Sequence, residues 1–439
     1  MTRRRLWIAG VAAALAATAG LFGGAFAGEP AARPADAAPA GDAAERLLQG
    51  FAAGDTAAEI ARLEQRVEAA PEDAEGLMLL GLAYQQRARE TGDPSFYPRS
   101  EEALRRSLAL VVDNDLAVTG LAALAASRHR FGDALALAER ARELNSFSAA
   151  ALGVLGDALV ELGRYDEAFA AFDRMAGLKP SLTSYARVSY ARELLGRSRA
   201  AVAAMELAVR AGSANAENAA WTLVQLGNLH FDMGRLRPAE RAYREALARL
   251  PGYVHARAGV ARVEAARGRH DRAATLYRRV VDALPLPQYA IALADVLQVS
   301  GREDEAKEAY DLVGVIQQLF RANGVRTETE TALFDLDHER NVADALARAR
   351  EAVRLWPSIY TQDVYAWALY KNGRCGEARR ASRLALRLST KDALKIFHRG
   401  MIELCLGHRA AGRRFIARAL EINPYFSVLY VPVAREALR

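Results

Sequence analysis

Apolar residues recur every three or four positions along most of this chain. The runs LGVLGDALVEL at 152–162 and FAAFDRMAGLKP at 169–180 show the pattern. Such spacing places the apolar side chains on one face of an α-helix. We find no convincing run in which apolar and polar residues alternate, and the common residues Ala, Leu, Arg and Glu are strong helix formers. The pattern therefore predicts an all-α protein.

The helical runs are separated by a short frame that begins with Gly and Arg. It reads GRYDEAF at 163–169, GRHDRAA at 268–274 and GRCGEAR at 373–379. The small residue of this frame returns every 33 to 39 residues, at Ala134, Ala168, Ala201, Ala239, Ala273, Ala306, Ala345, Ala378 and Gly412. A period of this length indicates stacked helical hairpins, because a single hairpin buries too little surface to fold alone.

One unit carries the full frame, with the residues Leu226, Gly227, Gly234, Ala239, Tyr243, Ala246 and Pro251. At this spacing they resemble the motif of the tetratricopeptide repeat family. The resemblance covers about ten units between residues 74 and 426. It implies a right-handed superhelical solenoid in which each unit is a pair of antiparallel helices, A and B, and helix A lines a concave groove. It also implies a non-catalytic scaffold that binds a peptide or protein partner in that groove.

Two regions depart from the regular repeat. The first unit carries extra residues around TGDPSFY at 91–97, which we expect to form a protruding loop. Residues 314–331 lengthen the repeat, and the eighth unit lacks the Leu-Gly pair. This unit is either a bend in the superhelix or a degenerate copy.

The chain begins with three arginines, followed by an uncharged stretch from Leu6 to Ala27 that ends in small residues. This is the pattern of a signal peptide cleaved after Ala27. The alternative is an uncleaved membrane anchor, because about 20 apolar residues can span a bilayer. The predicted order of segments is a signal peptide at 1–27, a flexible Ala/Pro linker at 28–42, N-terminal capping helices at 43–73, the repeat array at 74–426 and a C-terminal capping helix at 427–439.

The leader predicts a protein exported from a bacterial cell, to the periplasm or outside. Any membrane contact would come only through the N-terminal segment, if that segment is not cleaved. The formal net charge is +6 and falls to +3 when the three leader arginines are removed (6 − 3). So small an excess gives little support for nucleic-acid binding, and no nucleic acid is expected as a partner.

We find no motif for catalysis or for a cofactor, so the chain is predicted not to be an enzyme and to need no cofactor. The carboxylates most suited to acid–base chemistry are expected instead to be solvated or paired; they are Asp157, Asp232, Asp295 and Asp337. Arg-rich stretches at 235–279 and 374–418 are interpreted as a solvated outer face, with a dock for an acidic partner or an anionic membrane surface as the alternative.

Two cysteines, Cys375 and Cys405, lie in neighbouring units. In a stack of this family their positions approach each other, so a disulfide is predicted, with free buried thiols as the alternative. His398 and His408 lie near Cys405, but their spacing matches no standard metal motif, and no metal is expected.

The inner positions of helix A in the family motif are rich in aromatic residues here, and exposed aromatic residues suit peptide recognition. The candidate groove residues are Tyr190, Trp221, Asn228, Phe231, Arg262, Asp295, Phe334, Trp367 and Tyr370. Trp221 and Trp367 are the strongest candidates, and the alternative is that several of these aromatic residues pack between units. Only Asn228, and loosely Arg262, match the family's carboxylate clamp, so a clamp for peptide C-termini is not expected.

Two functions follow from these expectations. The first is a scaffold that binds an envelope or secreted protein. The second is the accessory subunit of a cell-envelope enzyme or transport complex. The partner's identity does not follow from the sequence.

Overall fold

The computed structural model describes residues 56–212 and 216–439. The predicted signal peptide, the linker and the start of the N-terminal capping region lie outside these ranges. Within them the chain forms 22 helices and no strand, which confirms the all-α class.

The helices are short and follow one another closely. In chain order they are α1 (Thr56–Ala69), α2 (Ala74–Thr91), α3 (Phe96–Leu110), α4 (Asp115–Ser127), α5 (Phe131–Leu144), α6 (Ala149–Glu161), α7 (Tyr165–Leu178), α8 (Leu182–Leu194), α9 (Ser198–Ala211), α10 (Ala216–Asp232), α11 (Leu236–Arg249), α12 (Val254–Ala266), α13 (His270–Ala283), α14 (Pro287–Val299), α15 (Glu303–Ala322), α16 (Glu328–Asp337), α17 (Val342–Leu355), α18 (Ile359–Lys371), α19 (Cys375–Ala385), α20 (Ala393–Cys405), α21 (Arg409–Ile422) and α22 (Tyr430–Glu436).

Helices α2 to α21 form ten successive hairpins, which we number units 1 to 10. The first helix of each unit is helix A and the second is helix B, and the two pack together in every unit. Helices α1 and α22 lie at the two ends of the array. The described residues thus form a solenoid of about ten repeats, as the sequence predicts.

Small residues let the two helices of a unit approach closely. A Cβ atom on Gly227 would overlap the ring of Tyr243, and one on Gly156 would overlap the ring of Phe172. Ala239 at the helix crossing has 0% of its surface exposed. The glycine of the Leu-Gly pair therefore leaves room for the large aromatic side chain of helix B to pack against the backbone of helix A.

Polar contacts join helix A of one unit to helix A of the next. Arg187 donates to Asp157 (Nη2 to Oδ2, 2.7 Å), and Arg262 donates to Asp232 (Nη2 to Oδ1, 3.0 Å). In both pairs the partners are 30 residues apart, which is close to one repeat. The A helices thus form a continuous layer across the units.

The second half of the array packs on the first. The turn between helices A and B of unit 3 contacts the connection after unit 8, where the Ile359 N–H donates to Tyr165 Oη (2.7 Å). The turn of unit 2 contacts the connection after unit 7, where His129 Nδ1 donates to the carbonyl of Arg326 (2.7 Å). These partners are 194 and 197 residues apart. One superhelical turn therefore takes between five and six units, and successive turns are in contact.

Two more units contact the next superhelical turn in the same way. In unit 4, the Thr390 hydroxyl donates to the carbonyl of Leu194, across 196 residues. In unit 5, the ring of Pro424 lies against Gly234. The turn of each of units 2 to 5 thus contacts the connection that follows five units later.

The glycines in the turns between helices A and B show which edge of the solenoid contacts the next superhelical turn. Gly163 and Gly196 adopt left-handed φ angles of +72° and +67°, and each lies against backbone from the next superhelical turn. The corresponding Gly268 and Gly301 have φ of +74° and +73°, but no atom of the described residues lies within 4 Å of where their Cβ would be. Glycine is needed in all four turns for its backbone angle, whereas close approach of a second turn constrains only the first two.

Two irregular regions differ from or refine the sequence expectations. Residues 91–97 do not form a protruding loop, because α2 continues to Thr91 and Tyr97 is 5% exposed. In the eighth unit α16 has only 10 residues, whereas the preceding α15 has 20. No helix in the described ranges combines the length and the apolar character that crossing a bilayer requires.

Candidate functional site: the inner face of the superhelix

Because the A helices form one layer and the two superhelical turns touch at their edges, groups on helix A of distant units meet inside the superhelix. We call one such place the inner junction and define it by Glu193, Asp232, Asp363, Asp392 and Lys395. Glu193 and Asp232 lie in the last turns of the A helices of units 4 and 5. The other three belong to helix A of units 9 and 10, or to its N-cap.

A turn-to-turn contact brings the junction together. The hydrogen bond from Thr390 to the carbonyl of Leu194 lies one residue from Glu193 and two from Asp392. Asp392 is the N-cap of α20, where its side chain accepts from the N–H groups of Leu394 and Lys395. It also accepts from the Lys395 ammonium (2.5 Å). Helix capping therefore holds the Asp392 carboxylate on the side of α20 that faces Glu193.

Three of the four junction carboxylates pair with basic groups, Asp232 with Arg262, Asp392 with Lys395 and Asp363 with His398. Burial, together with the charges of Asp232 and Asp392, raises the pKa of Glu193 to about 8, and Lys395 opposes this rise. Burial also raises the pKa of Asp232, which Arg262 opposes. Only the part of the Glu193 shift that comes from Asp232 and Asp392 reflects negative potential, and burial is the larger cause.

Water still reaches this face. The side chains of Asp232 and Arg262 are 45% and 40% exposed. Asp232 lies on helix A of unit 5 and Arg262 on helix A of unit 6. Arg262 also lies over the ring of Phe231, 3.8 Å from its centroid. The inner face is therefore a solvated, polar surface at the ends of the A helices of units 4 to 6, rather than a dry core.

Three of the predicted groove aromatics do not line this surface. Phe231, Phe334 and Trp367 are 1%, 6% and 2% exposed. Trp367 stacks between Tyr370 and His398, with ring centroids 4.7 and 4.1 Å away. The structure contradicts the exposure on which their assignment depends, because each packs into the contact between neighbouring units.

The polar candidates are engaged within the chain. Asn228 Oδ1 accepts from the Tyr243 hydroxyl (2.8 Å). Asp295 accepts from the Tyr310 hydroxyl and from His338 Nε2, both at 2.9 Å. Since Arg262 is paired with Asp232, neither Asn228 nor Arg262 stands ready to receive a peptide carboxylate.

The remaining candidates, Tyr190, Trp221 and Tyr370, are half-buried. Tyr190 belongs to the same helix as Glu193, and Trp221 to the same helix as Asp232. These residues remain predictions for contact with a partner.

The carboxylates considered for acid–base chemistry are paired. Asp157 is 2% exposed and forms a two-pronged contact with Arg187. Burial raises the pKa of Asp157, and the charge of Arg187 opposes that rise. Asp337 accepts from Trp367 Nε1 (2.9 Å) and from the Tyr430 hydroxyl (2.7 Å). Each carboxylate has a structural partner that accounts for it.

On the outer face, several arginines of the Arg-rich stretches pair with neighbouring acids. Arg244 and Arg267 both donate to Glu240, and Arg278 pairs with Glu305. Exposed pairs of this kind contribute little to stability, about 0–1 kcal/mol each. They are what a solvated face contains, and a dock for an acidic partner stays a prediction.

Cys375 and Cys405 form a disulfide, with Cα atoms 6.2 Å apart. The nearby histidines have other partners, since His398 Nδ1 donates to Asp363 (3.0 Å) and His408 Nδ1 donates to Glu403 (2.6 Å). Among the described residues, no three metal-ligating side chains are grouped so as to hold a metal ion.

Sequence reasoning missed Asp363, Asp392 and Lys395 as inner-face residues. The repeat motif assigns a residue to a face of its own helix, but it does not say which unit lies opposite. Asp392 faces Glu193 only because the superhelix returns on itself after about 200 residues. No spacing within a single unit carries that information.

The fold and site described above define a helical-repeat solenoid, and comparisons with known proteins identify the type of repeat. The family model for the tetratricopeptide repeat matches residues 119–182 and 224–286. These are units 2 and 3 and units 5 and 6, from the middle of one A helix to the start of a later one. The tetratricopeptide match is therefore shown for these two stretches. No curated protein matches the chain.

Several solved structures are similar to this chain. The APC/C hetero-tetramer Cut9–Hcn1 is 16% identical, with 90% of this chain and 84% of that chain covered and a TM-score of 0.38. The human IFIT1 dimer with PPP-AAAA is 14% identical, with 75% and 77% covered and a TM-score of 0.48. PilF of Pseudomonas aeruginosa is 17% identical, with 48% and 92% covered and a TM-score of 0.35. All three scores are below 0.5, so these likenesses carry no argument about partner or mechanism.

Proposed function

We propose that this protein is an exported, non-catalytic scaffold that binds a segment of a protein partner on the inner face of its superhelix. The tetratricopeptide repeats support a role in protein interaction. The observation that carries the proposal is the solvated polar surface formed by Asp232 and Arg262, enclosed by A helices and by the contacts between turns. Groups that are exposed to water and surrounded by protein favour a ligand that enters the superhelix.

The covered edges restrict the shape of that ligand. Units 2 to 5 are sealed against the connections after units 7 to 10. A globular partner could not enter between these turns without separating them. An extended segment, which adds little width, is the form of partner that the inner face fits best.

Affinity capture from the envelope fraction of the source cell tests the proposal. The inner variant is Asp232→Asn with Arg262→Gln, which removes both members of a partly exposed ion pair and leaves no unpaired charge. The matched control is Arg418→Gln with Glu421→Gln, an exposed pair on helix B of unit 10. Both changes should cost about 1 kcal/mol or less in stability.

A partner that is retained by wild type and the control, and lost by the inner variant, supports the proposal. Equal retention by all three proteins contradicts it. In that case the next surface to test is the uncovered edge of units 1 to 3, where Val112 and Phe147 are 61% and 77% exposed.

The accessory-subunit alternative and the proposed export each have a direct test. A captured partner with its own active site, recovered in a fixed ratio, would favour an accessory subunit over a free scaffold. The N-terminal sequence of the protein from the envelope fraction reports on the leader. A start at Gly28 supports cleavage, whereas a start at Met1 supports an uncleaved anchor.

A further inference from the structure

We propose that copies of this protein stack end to end along the superhelix axis, with one edge of each copy packed on a different edge of the next. We call the first surface the connection edge and define it by the connections after units 1 to 3, at residues 111–114, 145–148 and 179–181. The second surface is the turn edge, defined by the A–B turns of units 6 to 8, at residues 267–269, 300–302 and 338–341. This inference goes beyond the proposed function and does not depend on it.

The first argument is continuity with a contact that the chain already makes. Within one copy, the turns of units 2 to 5 pack on the connections after units 7 to 10. We call this internal contact the seam. The seam leaves the connection edge at one end of the superhelix and the turns of the later units at the other. A second copy that continues the offset of five units places its connections after units 1 to 3 on the turns of units 6 to 8.

Both edges are open in a single copy. No atom of residues 56–212 and 216–439 lies within 4 Å of the Cβ position of any of four later turn glycines, Gly268, Gly301, Gly373 and Gly407. The turn glycines of units 3 and 4, in contrast, lie against backbone across the seam. The later turns have the same left-handed geometry as the covered turns but nothing packed on them.

The second argument comes from equivalent positions. Val112, Val325 and Trp356 each lie three residues before an A helix. Val325 and Trp356 belong to connections that form the seam, and they are 3% and 5% exposed, whereas Val112 is 61% exposed. The same position is therefore apolar in all three connections, and it lacks a covering turn only in the connection edge.

Phe147 shows the same relation. It lies two residues before an A helix, as Pro357 and Lys391 do. Pro357 and Lys391 both contact turn glycines across the seam, at Gly163 and Gly196. Phe147 is 77% exposed instead. A large aromatic side chain at a position that elsewhere meets a turn favours a turn of this same chain as its partner.

The apolar surface repeats along the edge. More than half of the exposed large apolar side chains in the described ranges lie in the connection edge or at the helix ends beside it, at Leu110, Val111, Val112, Leu144, Phe147 and Leu178. The three leucines each end a B helix, in units 1, 2 and 3. A continuous exposed apolar surface of this kind marks a site of protein contact.

The turn edge has matching groups. In the seam, the first residue of helix B reaches across, since Phe131 packs edge-on against Trp356 with ring centroids 5.7 Å apart. His270 is the first residue of helix B in unit 6 and presents a ring at the same place. Val299, which directly precedes the turn of unit 7, is 37% exposed. These two side chains are the counterparts that we assign to the connection edge.

The assembly is open rather than closed. The connection edge and the turn edge are different surfaces, so the contact is heterologous, and a stack of any length keeps one free edge at each end. The average mass should therefore rise with protein concentration. Because the stacking is coaxial, the inner faces of successive copies would follow one another along one axis.

The test is sedimentation velocity over a range of protein concentrations with two edge variants. The connection variant is Val112→Glu with Phe147→Glu. The turn variant is Val299→Glu with His270→Glu, in which the second change puts an acid at a helix start, where it is favoured. The matched control is Leu207→Glu with Val315→Glu, two apolar positions that are 38% and 45% exposed on helix B of units 4 and 7.

We expect wild type and the control to associate equally, and each edge variant to associate about tenfold more weakly or worse, because apolar surface is no longer buried. An equimolar mixture of the two edge variants should form 1:1 pairs, since one supplies an intact turn edge and the other an intact connection edge. Thermal unfolding of all four proteins distinguishes lost association from lost folding.

Three results would overturn the proposal. The first is a wild type that stays monomeric up to about 1 mM. The second is a turn variant that associates as wild type does while the connection variant does not, which would mean that the connection edge pairs with itself. The third is a monomer in which Phe147→Cys reacts with a maleimide only after residues 28–55 are removed, which would assign the edge to the chain's own N-terminal segment. None of these results bears on partner capture at the inner face, because Asp232 and Arg262 lie outside both edges.

Discussion

The contact between the two superhelical turns can be tested with a single methyl group. Gly196 ends helix A of unit 4 with φ +67°, and a Cβ placed there would overlap the carbonyl oxygen of Ser389 from the next turn. Gly268 occupies the same place in unit 6, with φ +74°, and within residues 56–212 and 216–439 nothing lies within 4 Å of its Cβ position. Gly196→Ala and Gly268→Ala therefore impose the same backbone strain, but only the first disturbs the contact between turns.

The expected magnitudes differ because of that contact. Alanine in the left-handed region costs about 1–2 kcal/mol, and both variants should lose this much. In Gly196→Ala the Ser389 backbone must also move away, which breaks the hydrogen bond from Thr390 to Leu194. That bond contributes about 1 kcal/mol, so Gly196→Ala should lose roughly 2–3 kcal/mol in all.

Two measurements decide the question. Urea unfolding compares the two variants, although a long repeat array need not unfold in one step. Hydrogen exchange at residues 386–395 gives the local answer, since Gly196→Ala should speed exchange there and Gly268→Ala should not. Equal destabilisation by both variants, with unchanged exchange in this segment, would refute the packing of one turn on the other.

Three further predictions concern the repeat, the inner junction and the disulfide. Ala239→Arg should cost about 3 kcal/mol or more in unfolding free energy, because an arginine must enter a fully buried helix crossing; an unchanged melting temperature would contradict the repeat register. Glu193 holds its proton up to a pKa of about 8 in the folded chain, against an ordinary value of 4.5, so wild type should lose stability as pH rises between these values, by at most about 1.4 kcal/mol per pH unit. Glu193→Gln should match wild type near pH 4.5 and melt higher at pH 8, and a gap that does not change with pH would be contrary to this. Reducing the disulfide between Cys375 and Cys405 opens a loop with a sequence separation of 30 and should cost about 3–4 kcal/mol in calorimetry, whereas Cys375→Ser with Cys405→Ser should not respond to reductant.

Features contained within one unit were predictable from the sequence. The Gly-Arg frame predicts the turn at Gly163, which has the left-handed angle that favours glycine. The alanine of the frame predicts the close helix crossing at Ala239, which is fully buried. The turn and the helix crossing each depend on residues a few positions apart. Their cause is therefore local, and it repeats in every unit.

Features that depend on the winding of the whole array were not predictable. The motif places Trp367 on the inner side of its helix, but Tyr370 and His398 cover both faces of its ring. Asp392 faces Glu193 because small rotations between units add up to a closed turn after five to six units. Those rotations arise from the packing of many side chains and leave no pattern in the spacing of residues.

The central claim, that the second superhelical turn packs on the first, is tested most directly by cross-linking. Arg197 and Lys391 are both exposed, and the Lys391 Cγ would lie 3.7 Å from a Cβ on Gly196. Arg197→Cys with Lys391→Cys, treated with a short bismaleimide while the native disulfide is intact, should give an internal cross-link that peptide mapping locates between 197 and 391. Lys307→Cys with Lys391→Cys is the control and should give none; both positions are exposed, one in unit 7 and the other in the connection after unit 9. Failure of the 197–391 link, or equal linking in the control, would mean that the superhelix is open and that its inner face is not enclosed.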